Sequence, residues 1–326
     1  MILICSTRNP EPSTIDVMDW LFSMNANFIR INGEDFEKDA DISISYKSNN
    51  PISLIYKGKK VSLDKVNVCW YRRWRQLKFP YILNEMDNHT LKEQFKKYLN
   101  MEIDSLSSFF WLELSKKKWL TTPDKSRLNK LVVLKYAQIH NLKIPETIIT
   151  SSRSELINFM NKHKEVITKA IAEGEAFFLD NLNYTFYTKE LLLNHVNIPE
   201  SFIPILVQKK VEKEFEIRTF YLVGKCYSMA MFTQSDPQTS VDFRHYNIEK
   251  PNRWVPFKLP LQEEKKIDKL MKNLGLNNGS LDIIMDKKGD YVFLEINPVG
   301  QYGMVSIGCN YHLDYLIADF LTKNDN

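Results

Sequence analysis

Two short runs, SLDIIMD (280–286) and YVFLEIN (291–297), narrow most sharply what this chain can become. Both are rich in apolar and β-branched residues, and only KKGD separates them, with Gly289 supplying the backbone freedom of a tight turn. They read as an antiparallel hairpin. Pairing Asp286 with Tyr291 and Lys287 with Asp290 puts Asp282 directly opposite Glu295, and a three-residue loop would break that register. Glu295 and Asn297 share a face, because side chains alternate along a strand. Directly opposed residues hold their Cβ atoms about 4.5–5.5 Å apart, and like charges there repel. Two readings fit. In one, a hard cation such as Mg²⁺ sits among Asp282, Glu295 and Asn297, keeping several waters and binding substrate phosphates as well. In the other, nearby Lys or Arg side chains neutralise a polar hairpin face.

The rest of the chain limits the class of protein. Its 326 residues suffice for two or three domains. The balance of 44 basic against 40 acidic residues, a net charge of +4, is too even to imply nucleic acid. The four cysteines, Cys5, Cys69, Cys226 and Cys309, are scattered without CxxC or Cys/His spacing. That pattern fits reduced thiols rather than a zinc site or a disulfide framework. MILICSTRNP is too short in its apolar part for a signal peptide, and no run is long enough to span a bilayer. A cytoplasmic protein without membrane or nucleic-acid partners is the expectation.

Along the chain, MILIC reads as a buried strand, 15–24 as an amphipathic helix and ANFIRIN as a second strand. ISLIY and KVNVCWYRRW continue a small α/β unit, and 84 to about 119 reads as helix. TTPDKSRLNK is expected to open another helix, with Thr122 as cap and Pro123 in the first turn. Helix, turn and strand follow through Pro145, then a helix at 154–163, the strand EVITKA and a short helix ending near Pro199. PILVQKKV, EFEIRTFYLV and KCYSMAMF are strands. A helix at 261–274 precedes the hairpin, and one at about 311–322 closes the chain. The organisation is read as 1–119, 120–204 and 205–326.

A phosphate-binding partner for the hairpin would have to be cationic, because neither a Walker A motif nor GxGxxG occurs among only ten glycines. Lys130 lies on a helix and Lys169 in an otherwise apolar strand. Arg218 alternates onto the face of Glu216, and Arg244 follows the polar loop SDPQTS. For each, an ordinary solvated lysine or a structural salt bridge is the competing reading.

These residues, in this order, resemble the ATP-grasp superfamily. The closest resemblance is to its peptide-modifying branch, the graspetide (microviridin-type) ligases and grasp-with-SPASM peptide maturases, related to RimK-type ligases. NKLVVLKYAQIHNLKIPETIIT resembles the segment carrying the first ATP lysine, here Lys130, and VITKA the strand of the second, Lys169. LVQKKV resembles the hinge where Gln208, Lys209 and the backbone near Val211 meet adenine. EFEIRTF is similar to an acidic-x-Arg strand, implying ribose or metal-side contacts for Glu216 and phosphate stabilisation for Arg218. DFRHYN resembles the downstream arginine motif, at Arg244. LDIIMD and FLEINPVGQYGM resemble the metal-binding strands that carry Asp282, Glu295 and Asn297. MILICSTRN, WLFSMNANFIRIN and VCWYRRW are similar to the N-terminal domain of these ligases. The phosphate-covering loop departs from the pattern, since AIAEGEAFF has a single glycine.

The resemblance implies an α/β (α+β) ATP-grasp fold behind a pre-ATP-grasp domain. ATP and Mg²⁺ are the implied cofactors, a precursor peptide with acidic and Ser/Thr/Lys core residues the partner, and a homodimer the assembly. The implied chemistry is phosphorylation of an Asp or Glu side chain followed by ester or amide cross-linking, with Arg218 and Arg244 stabilising the transferred group. RimK-like addition of amino acids and a nucleotide-binding module without turnover are the alternatives. CWYRRWRQLK (69–78) interleaves aromatics with four basic residues. It reads either as a dock for an acidic peptide through Arg72 and Arg73 or as an exposed basic strand end.

Overall fold

The computed structural model describes residues 1–9, 11–47, 51–77, 88–172, 176–179, 182–185, 188–192, 198–233 and 252–325. Two compact units emerge. The first comprises Met1–Ser126, Gln301–Ser306 and His312–Asn326; the second comprises Arg127–Gly300 and Ile307–Tyr311.

The first unit grows from the apolar opening of the chain. β1 (Ile2–Ser6) is buried throughout and lies inside a parallel sheet. An uninterrupted apolar run suits a strand covered on both faces. Pro12 starts α1 (Pro12–Ser23), where its missing N–H costs nothing. The chain continues through β2 (Phe28–Asn32), β3 (Ala40–Ile44), β4 (Ile52–Tyr56), β5 (Lys59–Val61) and β6 (Val68–Tyr71). α2 (His89–Leu114) starts where Asn88 accepts the Leu91 N–H at 3.0 Å, and turns Ile103, Phe110 and Leu114 inward. Its expected continuation to Trp119 does not occur. Instead the chain leaves the helix to form β7 (Lys118–Leu120), parallel to β6. The Trp119 ring is buried there, and its indole N–H donates to the Leu114 carbonyl at 2.9 Å, satisfying a helix-end acceptor. The sheet order is β2-β1-β6-β7, and β3-β4-β5 form a separate antiparallel sheet.

The second unit begins later than the Thr122–Pro123 signal suggests. Pro123–Lys125 is only a 3₁₀ turn, and Thr122 makes no side-chain cap. Asn129 is the cap, accepting from the N–H groups of Leu131 and Val132, and it starts α3 (Lys130–Ile139). Next come β8 (Thr147–Thr150), α4 (Arg153–His163), β9 (Val166–Lys169), β10 (Ala176–Leu179), β11 (Leu182–Thr185) and β12 (Lys189–Leu191). The short helix expected before Pro199 falls mostly on residues outside the described ones. β13 (Ile205–Lys209) completes an antiparallel sheet of order β12-β9-β13-β8, and β10 pairs with β11 alone. β14 (Lys213–Leu222), β15 (Lys225–Phe232), β16 (Arg253–Phe257), α5 (Leu261–Asn273), β17 (Asn278–Asp286) and β18 (Tyr291–Asn297) follow. They build a five-stranded antiparallel sheet, β16-β15-β14-β17-β18. One of its faces buries Ile217, Leu281, Ile283, Phe293 and Ile296 with Val133 and Leu134 of α3 and Ile267, Leu270 and Met271 of α5. The opposite face carries Glu216, Arg218, Asp282 and Glu295 beside buried Phe220, Met229 and Met231.

Two helices close the chain, α6 (Gly303–Gly308) and α7 (Leu313–Lys323). α7 packs on α1. α7, with Leu313, Ile317 and Leu321 buried, belongs to the first compact unit.

The five-stranded sheet carries two bulges that periodicity does not announce. Asp282 pairs with Glu295 while its neighbour Ile283 pairs with Phe293, so Leu294 is an extra residue. Lys213 pairs with Asp286 while Phe215 pairs with Met285, so Glu214 is another. The hairpin itself pairs Met285 with Tyr291, not Asp286 with Tyr291. The Asp286 N–H donates to the Asp290 carbonyl at 3.0 Å, which closes a loop of three residues, 287–289, with Gly289 at φ +87°. The expected pairing of Asp282 with Glu295 survives because the bulge at Leu294 restores the residue that the loop displaces.

Candidate active site

A row of charge crosses three neighbouring strands on the open face of this sheet. Arg218 of β14 is opposite Asp282 of β17, and Asp282 is opposite Glu295 of β18. The Arg218 guanidinium donates to the Asp282 carboxylate. Glu295 Oε2 lies 3.4 Å from Lys169 Nζ and 3.9 Å from Lys130 Nζ. Three cations thus meet two carboxylates. Lys130 stands in the first turn of α3, where the helix dipole disfavours a cation. Its ammonium group also donates to the Ala170 carbonyl at 3.3 Å. Leu128, Leu134, Leu206, Leu294 and Ile296 complete a small apolar cavity around Lys130, Lys169 and Glu295. Such walls lower the local dielectric and strengthen each charge interaction.

The bulge at Leu294 explains how Glu295 reaches this face. Phe293 and Glu295 are two apart, yet they pair with adjacent residues of β17 and so point to opposite sides. Phe293 is buried in the core, whereas Glu295 is half-buried on the opposite face. Burial pushes the Asp282 carboxyl up; Arg218 opposes that shift and Glu295 adds to it. Asn297 lies on the Glu295 face, opposite Ser280, and is exposed.

Glu216, two residues before Arg218, shares its face. The Lys213 ammonium and the Thr233 hydroxyl, at 3.1 Å, both donate to it. Burial still keeps its carboxyl above the ordinary value. Sequence reading passed over Lys213, because residues three apart in a regular strand face opposite sides; the bulge at Glu214 reverses that parity. Buried Arg218 Nε has no hydrogen-bond partner among the described residues, leaving a donor available at the site.

The remaining expected residues are more dispersed. Gln208 is 0% exposed on β13; its amide donates to Thr147 Oγ1 at 2.9 Å, and its carbonyl oxygen has no partner among the described residues. Lys209 is exposed, with its N–H bonded to the Glu146 carbonyl at 2.9 Å, and Val211 lies in the link to β14. Arg244 falls outside the described residues.

Arg72 lies elsewhere, in the first unit, and corrects the picture of an exposed basic dock. It is 3% exposed, with Nη2 3.1 Å from Glu11 Oε1 and 2.9 Å from Ser13 Oγ, and its guanidinium lies over the Tyr302 ring. A buried guanidinium must be paired, and Glu11 already pairs it. Arg73 is 37% exposed, at φ +57°, with Nε 3.3 Å from Glu11 Oε2.

The donor chemistry suits a magnesium ion. All three groups offer oxygen, two are carboxylates whose mutual repulsion a divalent ion relieves, and so few ligands match an ion that keeps waters and phosphate oxygens. Among the described residues no group of three or more His, Cys, Asp or Glu gathers.

The fold is that of the ATP-grasp ligases, behind a pre-ATP-grasp domain. Residues 1–126 match the family model of the MvdD pre-ATP grasp domain, ending at the same Ser126 that bounds the first compact unit. The whole chain superposes on a Chryseobacterium gregarium RiPP-associated ATP-grasp ligase in complex with ADP and a leader and core peptide. That match has TM-score 0.87 and 25% identity, and covers 100% of this chain and 98% of the other. The macrocyclase MdnC of Microcystis aeruginosa MRC, bound with precursor peptide MdnA, matches at TM-score 0.82 and 22% identity over 99% of each chain. The ATP-grasp ligase PsnB, complexed with minimal precursor, Mg and ADP, matches at TM-score 0.76 and 14% identity over 100% and 97%. No curated protein sequence matches the chain.

Proposed function

We propose that this ligase uses ATP to join side chains within a ribosomally made precursor peptide. The observation that carries the reading is the row Arg218–Asp282–Glu295 with Lys169 and Lys130 beside it. Phosphoryl transfer to a carboxylate brings two anions together, so the site must supply positive charge where negative charge gathers. Lys130 and Lys169 hold the nucleotide phosphates. Arg218, whose Nε has no hydrogen-bond partner among the described residues, stabilises the transferred group, and Arg244 shares that role. Gln208, Lys209 and the backbone near Val211 receive the adenine, and Glu216 supports the ribose or metal side. Asp282, Glu295 and Asn297 hold magnesium, which supplies Lewis-acid neutralisation of the phosphates.

In the first step an Asp or Glu carboxylate oxygen of the peptide attacks the γ-phosphorus and ADP leaves. A Ser or Thr hydroxyl, or a Lys amine, then attacks the acyl carbon; the carbon–oxygen bond to phosphate breaks and an ester or amide remains. Phosphate and one proton are released, and the peptide is lighter by one water for each link. The ligands of the solved relatives support this reading: ADP with leader and core peptide in one, a precursor peptide in another, Mg with ADP in a third. No helix among the described residues is long and apolar enough to cross a membrane. The proposed setting is the cytoplasm, and the proposed assembly a homodimer.

Mass spectrometry of an acidic, Thr- and Lys-containing precursor incubated with the chain, ATP and magnesium tests the reading. Loss of one water per bond is the expected result. Gain of an amino-acid residue mass would instead mark RimK-like ligation, and ATP binding without any product would mark a non-catalytic module.

A further inference from the structure

We propose that Glu295 has a second role beside metal binding. In the absence of ligand it occupies the phosphate site electrostatically, so that metal and nucleotide release one another's partners. The inference rests on the nucleotide reading above and specifies how that site is controlled. Its basis is geometric. The carboxylate assigned to metal is the same group that lies 3.4 Å from Lys169 and 3.9 Å from Lys130, the two cations assigned to phosphate. Asp282 is engaged with Arg218 in the same way.

Three cations against two carboxylates leave a net charge of only about one, far too little to hold a polyanionic nucleotide strongly. Metal-free nucleotide must also bring its phosphates against Glu295, so two like charges compete for the same ammonium groups. A divalent ion drawn to Asp282 and Glu295 offsets both carboxylates and leaves Lys130, Lys169 and Arg218 to face phosphate. The exchange makes binding cooperative, and the coupling is reciprocal by thermodynamic necessity. Glu295 is thereby a positioning residue that holds the two ammonium groups in one place while no phosphate is bound.

A metal-ligating carboxylate that lay clear of the lysines would make little difference to metal-free binding, and this separates the two roles. Isothermal titration of ADP into the full chain, in excess EDTA and in excess magnesium, provides the readout for wild type and Glu295→Gln. Glu295 is 36% exposed and its field partly screened, so the expected gain is modest. In EDTA the variant should bind ADP about three- to tenfold more tightly than wild type. The improvement that magnesium gives should also be smaller in the variant. Glu295→Asp, which keeps the charge but withdraws it from the lysines, should fall between them and serves if the glutamine variant does not fold. An unchanged or weaker affinity of the variants in EDTA, with ADP binding intact in wild type, overturns this proposal alone. Wild type that binds ADP in neither condition overturns the nucleotide reading and this proposal with it.

Discussion

Asp282 lies directly opposite Glu295 on adjacent antiparallel strands, and the extra residue Leu294 is what turns Glu295 away from the core side occupied by Phe293. Two carboxylates held this way repel in the ligand-free chain and are offset by Arg218 and Lys169. Evolution of a stable sheet alone would place apolar or opposite-charge pairs there. The arrangement therefore predicts catalytic rather than structural sensitivity. Asp282→Asn and Glu295→Ala should each lower ATP-dependent peptide modification about 10²–10³-fold, and Glu295→Ala, at the more exposed of the two carboxylates, should leave the melting transition nearly in place. Modification measured by mass, alongside phosphate release, provides the check; rates within tenfold of wild type would refute the assignment.

The strand pair, the shared face of Glu295 and Asn297, and the opposition of Asp282 and Glu295 follow from apolar alternation and a Gly turn. That register fails at the loop, because periodicity assumes a regular ladder and two bulges break it. Lys213 stayed hidden for the same reason. Lys169 stood out as a charge in an apolar strand. Lys130 did not, because only the fold brings the start of α3 to Glu295, 165 positions further along the chain (295 less 130). Arg72 shows the opposite failure: a basic run signals a surface, and burial against Glu11 is a tertiary fact with no local signature.

Arg72 and Arg73 should separate cleanly under mutation. Removing one partner of a buried ion pair strands the other, at a cost of about 3–5 kcal/mol. Burial pushes the Arg72 guanidinium down while Glu11 pulls it back, so the pair depends on both members. Arg72→Ala should lose about that much stability in denaturant unfolding, and Arg73→Ala, on the more exposed side of Glu11, less than about 1 kcal/mol. Peptide affinity offers the complementary measurement: if peptide docking uses this segment, Arg73 is the side chain that can meet a carboxylate. Equal stability losses for the two variants would contradict the burial of Arg72.

Gly33 supplies a prediction of pure packing. A Cβ there would lie 2.1 Å from the Arg75 carbonyl oxygen and 2.8 Å from that of Gln76, both backbone atoms that cannot swing aside. The stretch carrying Arg75 therefore presses on the turn that follows β2, where Asp35 accepts the Asn32 N–H at 2.8 Å. Gly33→Ala should destabilise the first unit by at least about 2 kcal/mol through forced backbone displacement. Thermal melting of the full chain would show it, and a variant melting with wild type would mean that the two segments are not in contact.

The turn of the β17–β18 hairpin carries a pH-dependent contribution of defined sign. Asp286 accepts from the N–H groups of Lys288 and Asp290, each at 2.9 Å, and from Lys143 Nζ at 3.0 Å. Burial raises its carboxyl, but the Asp290 N–H, Lys143 and the Lys288 N–H together outweigh that and hold it below the ordinary 3.8. A depressed carboxyl stabilises the folded state above its unfolded value and loses that contribution as pH falls through the folded one. Asp286→Asn should therefore cost about 1 kcal/mol at pH 7, a magnitude set by hydrogen bonds to a partly exposed charge. The gap between variant and wild type should persist down to pH 5 and close progressively below pH 4. Denaturant midpoints measured across that range test the sign. A gap that widened on acidification would show that Asp286 is not held ionised by these partners.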